Sequence, residues 1–264
     1  MLTLLLFLLA GLLLPLFPLS IGVNLVLQSS AGGRLDNVWT RAALLLLMPL
    51  AGVALIALGQ RQAGGESALL TTVFALWGGA TSLLYAVRLL SVRDGRIWLA
   101  QLYTSALALI WVGVVHAVPP LLPALGLALS LLPLAFLLDG LARRFGIARI
   151  GLYPGLAQKM PIFSTLFVIA VLAAVAVPFS PAFFAIAELA FGGIGTNELI
   201  TLMPLGLSWL LWTWAGINLL TGIVFGVARD DLPYRDLDRS AALAHGVGMA
   251  ALALFGLFLV EVVL

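Results

Sequence analysis

The chain has no cysteine and two histidines, His116 and His245. Disulfides and thiolate metal sites are excluded, and two histidines so far apart form no local metal motif. No metal or other cofactor is expected. Charge is scarce as well: 9% of the 264 residues are Asp, Glu, Lys or Arg, where a soluble domain carries about 25%. With 63% hydrophobic residues, the bulk of the chain is expected in a bilayer. The formal net charge is +2 and the basic residues are not clustered between aromatics, so the footprint of a nucleic-acid binder is missing. No glycine-rich phosphate loop or nucleophile elbow is present. The N-terminal stretch MLTLLLFLLAGLLLPLFPLS has no basic n-region. It reads as a first membrane segment, not a cleaved signal peptide.

What remains is a string of apolar runs, each near the ~20 residues that cross a bilayer. They are Leu2 to Val26, kinked near Pro15 and Pro18; Ala42 to Leu58; Ala68 to Leu90; Ile97 to Val115; Leu121 to Leu138; an interrupted run from residue 160 to 192; Leu199 to Val227, with Pro204 as a possible kink; and Ala241 to Val263. The expected fold is all-α and polytopic, a single transmembrane domain over residues 1–264 with about eight helices. Residues 1–90 hold helices one to three and residues 91–264 helices four to eight.

Loop charge supports this order. With the interrupted run as one crossing, Arg34, Arg41, Arg88, Arg93, Arg96, Arg143, Arg144, Arg149, Lys159, Arg229, Arg235 and Arg239 share one side, which is 12 of the 13 basic residues. Arg61 alone is opposite. That bias marks the basic side as cytoplasmic. Both termini then face outward, and the expected location is a bacterial inner membrane with the termini periplasmic.

The interrupted run organises the rest. Met160 to Val177 is apolar, Pro178, Ser180 and Pro181 break it, and Ala182 to Phe191 resumes it with one carboxylate, Glu188. Two apolar halves about a Pro-x-x-Pro break describe a discontinuous membrane helix. The prolines free carbonyls that only protein or an internal water cavity can satisfy. A lone glutamate in such a helix is expensive in lipid and marks an ion pathway by default; its bland alternative is an interfacial or structurally paired carboxylate. Lys159, at the mouth of the broken helix, is a gating cation or an ordinary anchor. Asp94 and Arg96 suit a helix start, with a direct transport role as the sharper reading. His116 lies where it could exchange protons with bulk water, or is a plain interfacial histidine. Gln101, Thr104 and Ser105, beside Tyr103, line a wet path or glue helices together. Trp98, Trp111, Trp209, Trp212 and Trp214 read as packing or interfacial aromatics, and Glu261 as interfacial.

Three stretches carry a family resemblance. GLAQKMP followed by the apolar run, the break and F-x-x-A-E-L resembles the antiporter-like membrane subunits of respiratory complex I, of Mrp cation/proton antiporters and of energy-converting hydrogenases. DGRIWLAQLYTSALALIWVG, Asp94 to Gly113, is similar to the motif D-L-K-R-L-L-A-Y-S-S, with Asp94, Arg96 and Thr104–Ser105 in matching places. IVFGVARDD to DLDRSAAL resembles the loop before the family's final helix. The resemblance implies a half-length member, equivalent to the C-terminal half, with one inverted repeat. It implies a membrane subunit of a proton- or cation-translocating complex that couples ion movement to a partner's redox or transport reaction. Such a chain is at most a non-catalytic subunit of a redox-driven ion pump of the NADH-quinone oxidoreductase kind. Its partners would be other membrane subunits, among them a full-length antiporter-like subunit or a transporter. The buried lysines of the family pattern are absent. Two further readings are therefore a scaffold subunit with no ion path of its own, and the coupling subunit of a substrate-uptake complex, for inorganic carbon for example.

Overall fold

The computed structural model describes residues 1–28, 37–62, 68–194, 198–232 and 234–263, without the side chains of 198–201 and 260–263. Arg34, Asp36 and Glu66 lie outside the described residues, as does the side chain of Glu261. Twelve α-helices are present among them: α1 (Leu2–Leu13), α2 (Ser20–Gln28), α3 (Val38–Gln62), α4 (Ala68–Leu89), α5 (Gly95–Ala108), α6 (Ile110–Val114), α7 (Leu121–Phe145), α8 (Leu156–Lys159), α9 (Pro161–Ala174), α10 (Pro181–Gly193), α11 (Glu198–Ile223) and α12 (Arg239–Val263). The protein is an all-α, polytopic integral membrane protein. Five helical runs are each long and apolar enough to cross a bilayer: α3, α4, α5 continued by α6, α7 and most of α12. Shorter apolar helices α1, α9 and α10 join them.

Burial ranks the helices. The α5–α6 run is 89% buried across its apolar window, whereas α12 is 17% buried. The first is the axis of the bundle and the second its rim. The outward faces carry Leu210, Trp214, Ile217, Leu254 and Phe258, all more than half exposed. A row of large apolar side chains is too extensive for a watery surface and suits acyl chains.

The helix ends sort by charge. Chain segments before α5, after α7 and after α11 meet at one end of the bundle. There Gly95 N–H donates to Ala148 C=O at 2.7 Å, Ile150 to Arg93 at 2.7 Å, Gly151 to Gly222 at 2.8 Å and Gly155 to Phe225 at 3.0 Å. Gly155 has φ +77°, and a Cβ on it would sit 2.5 Å from the Ala228 nitrogen. Glycine is therefore the residue that lets these two loops touch. This end holds Arg93, Arg96, Arg143, Arg149, Lys159 and Arg229 and is called the basic end below.

The first span departs from expectation. The anticipated kink at Pro15 and Pro18 is a full break between α1 and α2, so a second helix interrupted at a proline pair joins α9–α10 among the described residues. Each carries Pro-x-x-Pro at its interruption, Pro15/Pro18 and Pro178/Pro181.

Candidate functional site

The second break is built residue by residue. Helix α9 ends in a Schellman arrangement. Val177 N–H donates to Leu172 C=O at 3.0 Å and Ala176 N–H to Ala173 C=O at 3.2 Å, with Ala176 at φ +60°. That position favours glycine, so Ala176 holds local strain, as does Phe179 at φ +75°. Helix α10 then opens with Ser180 as N-cap and Pro181 in the first turn. Ser180 Oγ accepts from Phe183 N–H at 3.3 Å and donates to Val177 C=O at 2.8 Å. Ser130 Oγ on α7 accepts from Ala182 N–H at 3.0 Å. The carbonyl of Val175 accepts from the Trp209 indole N–H at 3.1 Å. Four backbone groups at the break, the Val175 and Val177 carbonyls and the Ala182 and Phe183 N–H groups, are thus met by protein side chains.

The first break uses the same device. Trp111 Nε1 donates to Leu14 C=O at 3.1 Å, and Trp77 Nε1 donates to Phe17 C=O. Thr81 Oγ1 accepts from Phe17 N–H at 3.2 Å. Three tryptophans therefore latch the two interruptions. From the sequence Trp111 and Trp209 read as packing or interfacial aromatics, and the structure gives both a hydrogen bond as well. Their indole N–H groups supply the donor that a carbonyl freed by a helix break requires. Trp98 is buried and Trp214 exposed, as packing and lipid-facing aromatics are.

Glu188 sits on α10, about 10 Å beyond the break by helix rise. Its side chain is half-buried, and Oε2 is fully buried without a hydrogen-bond donor among the described residues. Ser164 Oγ on α9 and Gln101 Oε1 and Tyr103 OH on α5 are also buried without a partner among them. Such atoms are rare in native interiors and concentrate where function requires them. An unpartnered carboxylate oxygen at membrane depth can take up and release one proton, or hold a passing cation.

The remaining candidates fall into separate groups. Thr104 and Ser105 belong to a buried hydroxyl network around α5. Thr104 Oγ1 donates to Asn24 Oδ1 at 3.1 Å, and Asn24 Nδ2 donates to Ser20 C=O at 3.0 Å. Ser20 Oγ and Tyr85 OH are 2.9 Å apart. Ser105 Oγ donates to Ser82 C=O at 2.8 Å and accepts from Trp212 Nε1 at 2.8 Å, and Ser82 Oγ lies 2.8 Å from Ser208 Oγ. This network ties α2, α4, α5 and α11 together. Asp94 is the N-cap of α5 and accepts from Arg96 N–H at 2.8 Å and Ile97 N–H at 3.2 Å. Lys159 reaches Asp230 at 3.6 Å across an open surface, where both side chains are exposed. His116 is in the turn that ends α6, and burial lowers its pKa below the ordinary histidine value. No hydrogen bond or ion pair among the described residues joins Glu188 to Lys159, Asp94, Arg96 or His116.

Two carboxylates escape a reading that stops the fifth span at Leu138. Asp139 belongs to α7, which runs on to Phe145, and is 5% exposed. It faces Arg41 at 3.8 Å, Arg96 at 3.5 Å and Arg143 at 2.8 Å. Its signal is the i,i+4 spacing from Asp139 to Arg143 at the end of an apolar run. Asp236 caps the broken helix from the loop before α12. Its carboxylate accepts from Ile162 and Phe163 N–H, each at 2.9 Å. A carboxylate suits the positive N-terminal end of α9. The two resembling motifs, KMP and DLDR, therefore meet in space.

With this geometry the class is defined: the chain has the fold of a half-length antiporter-like membrane subunit. It overlays a chain of respiratory complex I from Thermus thermophilus with bound NADH at TM-score 0.79 and 20% identity, over 97% of this chain and 54% of that one. A chain of the Mrp complex from Dietzia sp. DQ12-45-1b gives TM-score 0.79 at 14% identity, over 94% of this chain and 54% of that one. A chain of the membrane-bound sulfane sulfur reductase, an archaeal respiratory membrane complex, gives 0.80 at 15% identity, over 94% and 51%. The protein spans about half the length of these chains. In sequence it is 26% identical over 226 residues to an uncharacterized protein of Aquifex aeolicus (strain VF5), covering 86% of this chain and 88% of that protein. No protein-family model matches the chain.

Proposed function

We propose that the protein is a membrane subunit of a multi-subunit proton- or cation-translocating complex, and that Glu188 is its ion-exchanging group. The observation that carries the reading is the buried Oε2 of Glu188, without a donor among the described residues, on the second half of a broken helix. A carboxylate held so can alternate between neutral and charged forms as a proton or cation arrives and leaves. The backbone of the break is held by Trp209, Ser130 and Ser180, so the start of the helix that carries Glu188 is fixed. The likeness to chains from complex I, Mrp and sulfane sulfur reductase complexes supports a hetero-oligomeric setting. In this reading residues 1–264 form one transmembrane domain of eight crossings, with the α1–α2, α5–α6 and α9–α10 pairs counted once each. The basic end faces the cytoplasm of a bacterial inner membrane and both termini face the periplasm. The partner, a full-length antiporter-like subunit or a transporter, supplies the rest of the path and the driving reaction.

A second reading, a scaffold without an ion path, is favoured by one observation: among the described residues no bonded relay leads from Glu188 to the other candidates. Ion movement in membrane vesicles carrying the assembled complex, wild type against Glu188→Gln, separates the two. Loss of movement with assembly intact supports the first; unchanged movement supports the scaffold.

A further inference from the structure

We propose that the cleft between α7 and α12 is a binding site for one anionic phospholipid, tails between the helices and phosphate among the arginines of the basic end. Helix α12 stands off the bundle and leaves an apolar groove of about 610 Å³ against α3 and α7, floored by Leu132, Pro133 and Phe136 and flanked by Gly248, Met249 and Leu252. The groove opens at the basic end into a second space of about 600 Å³, where Arg143, Arg144 and Arg235 converge. Phe136, Ala241 and His245 line both spaces, so the two are continuous.

Charge selects the occupant. Three arginines outnumber the two carboxylates lining the mouth, Asp236, which caps the positive end of α9, and Asp238, which accepts from Ser240 Oγ at 2.6 Å. Arg143 pairs with Asp139. Arg144 is oriented by Gly140 C=O at 3.2 Å and by the Phe163 ring, 5.6 Å from its guanidinium carbon, and is in no ion pair among the described residues, while Arg235 acts on Asp238 from beyond salt-bridge distance. Planar guanidinium groups in this setting match phosphate oxygens. Length selects a lipid over a free anion. The groove follows α12 from Ala241 to Phe255, about 21 Å by helix rise, against about 15 Å for half the hydrocarbon core. Basic pockets between helices at a cytoplasmic face bind acidic headgroups in this way.

The test is native mass spectrometry of the complex, delipidated and re-equilibrated with phosphatidylglycerol or phosphatidylcholine in mixed micelles. The wild type should retain one phosphatidylglycerol in preference to phosphatidylcholine, by about fivefold for each arginine engaged. Arg144→Gln with Arg235→Gln should erase the preference, and Gly248→Leu should block both lipids. A diazirine-tailed phosphatidylglycerol, photolysed in the wild-type complex, should label α7 and α12, which reads the site independently of how the variants fold. Equal retention of both lipids, a preference that survives the double substitution, labelling elsewhere, or a quinone or a partner's helix found in the groove would each overturn the proposal.

Discussion

The Trp209 indole on α11 donates to the carbonyl of Val175, the C-cap of α9, at 3.1 Å. One side chain from a neighbouring helix thereby supplies a donor to a carbonyl at the break, beside the bonds made by Ser130 and Ser180. Trp209→Phe keeps the ring and leaves the carbonyl unmet, which should cost about 1–3 kcal/mol. Thermal unfolding of the purified protein in detergent checks this; an unchanged midpoint would mean the latch is dispensable.

Helix α12 approaches the break through Gly256. A Cβ there would lie 2.5 Å from the Phe179 carbonyl oxygen, whereas a Cβ on Gly246, on the same helix, meets nothing within 4 Å. Gly256→Ala should destabilise by about 1–3 kcal/mol through overpacking. Gly246→Ala should be neutral or stabilise by a few tenths, because alanine is the better helix former. Opposite signs from one pair of glycines on one helix are the signature; equal signs contradict the packing described.

Asp139 is the buried counter-charge of Arg41, and both side chains are 6% exposed. Asp139→Asn leaves the shape and removes the charge. Breaking such a pair from one side costs about 3–5 kcal/mol. The expected result is a large fall in the yield of assembled complex on native gels and a lower unfolding midpoint. Arg143→Gln should do far less, because Arg143 is 68% exposed and solvent screens its pair.

Much of this was readable from the residues. The break at Pro178 and Pro181, the place of Glu188 on its second half and the gathering of arginines at one end follow from proline chemistry, apolar run length and loop charge. The break in the first span is not read as one: Pro15 and Pro18 repeat the spacing of Pro178 and Pro181, but with no carboxylate nearby the pair reads as a kink. The tryptophan latches and the hydroxyl network were hidden because Trp111, Trp209 and Ser105 meet their partners only through tertiary packing, at separations from 23 to 107 residues. Asp139 was hidden because an aspartate after a long apolar run marks a loop as readily as a helix end.

His116 provides a pH signature. Burial lowers its pKa below the ordinary value of 6.5. The unfolded chain then binds the proton more readily than the folded one. Stability is full above the unfolded value, falls as pH drops through it, and levels off below the lower folded value. Chemical denaturation across that window should show a slope that His116→Gln reduces. NMR titration should place the His116 midpoint below 6.5; a midpoint above it contradicts the burial described.

The most direct test of the central claim is proton or cation uptake into inverted membrane vesicles holding the assembled complex, with Glu188 replaced by Gln and by Asp. If Glu188 exchanges the ion, Glu188→Gln abolishes driven uptake while native gels show full assembly, and Glu188→Asp restores part of it with a shifted pH profile. Full uptake by the assembled Glu188→Gln complex would contradict the account and leave this chain a scaffold.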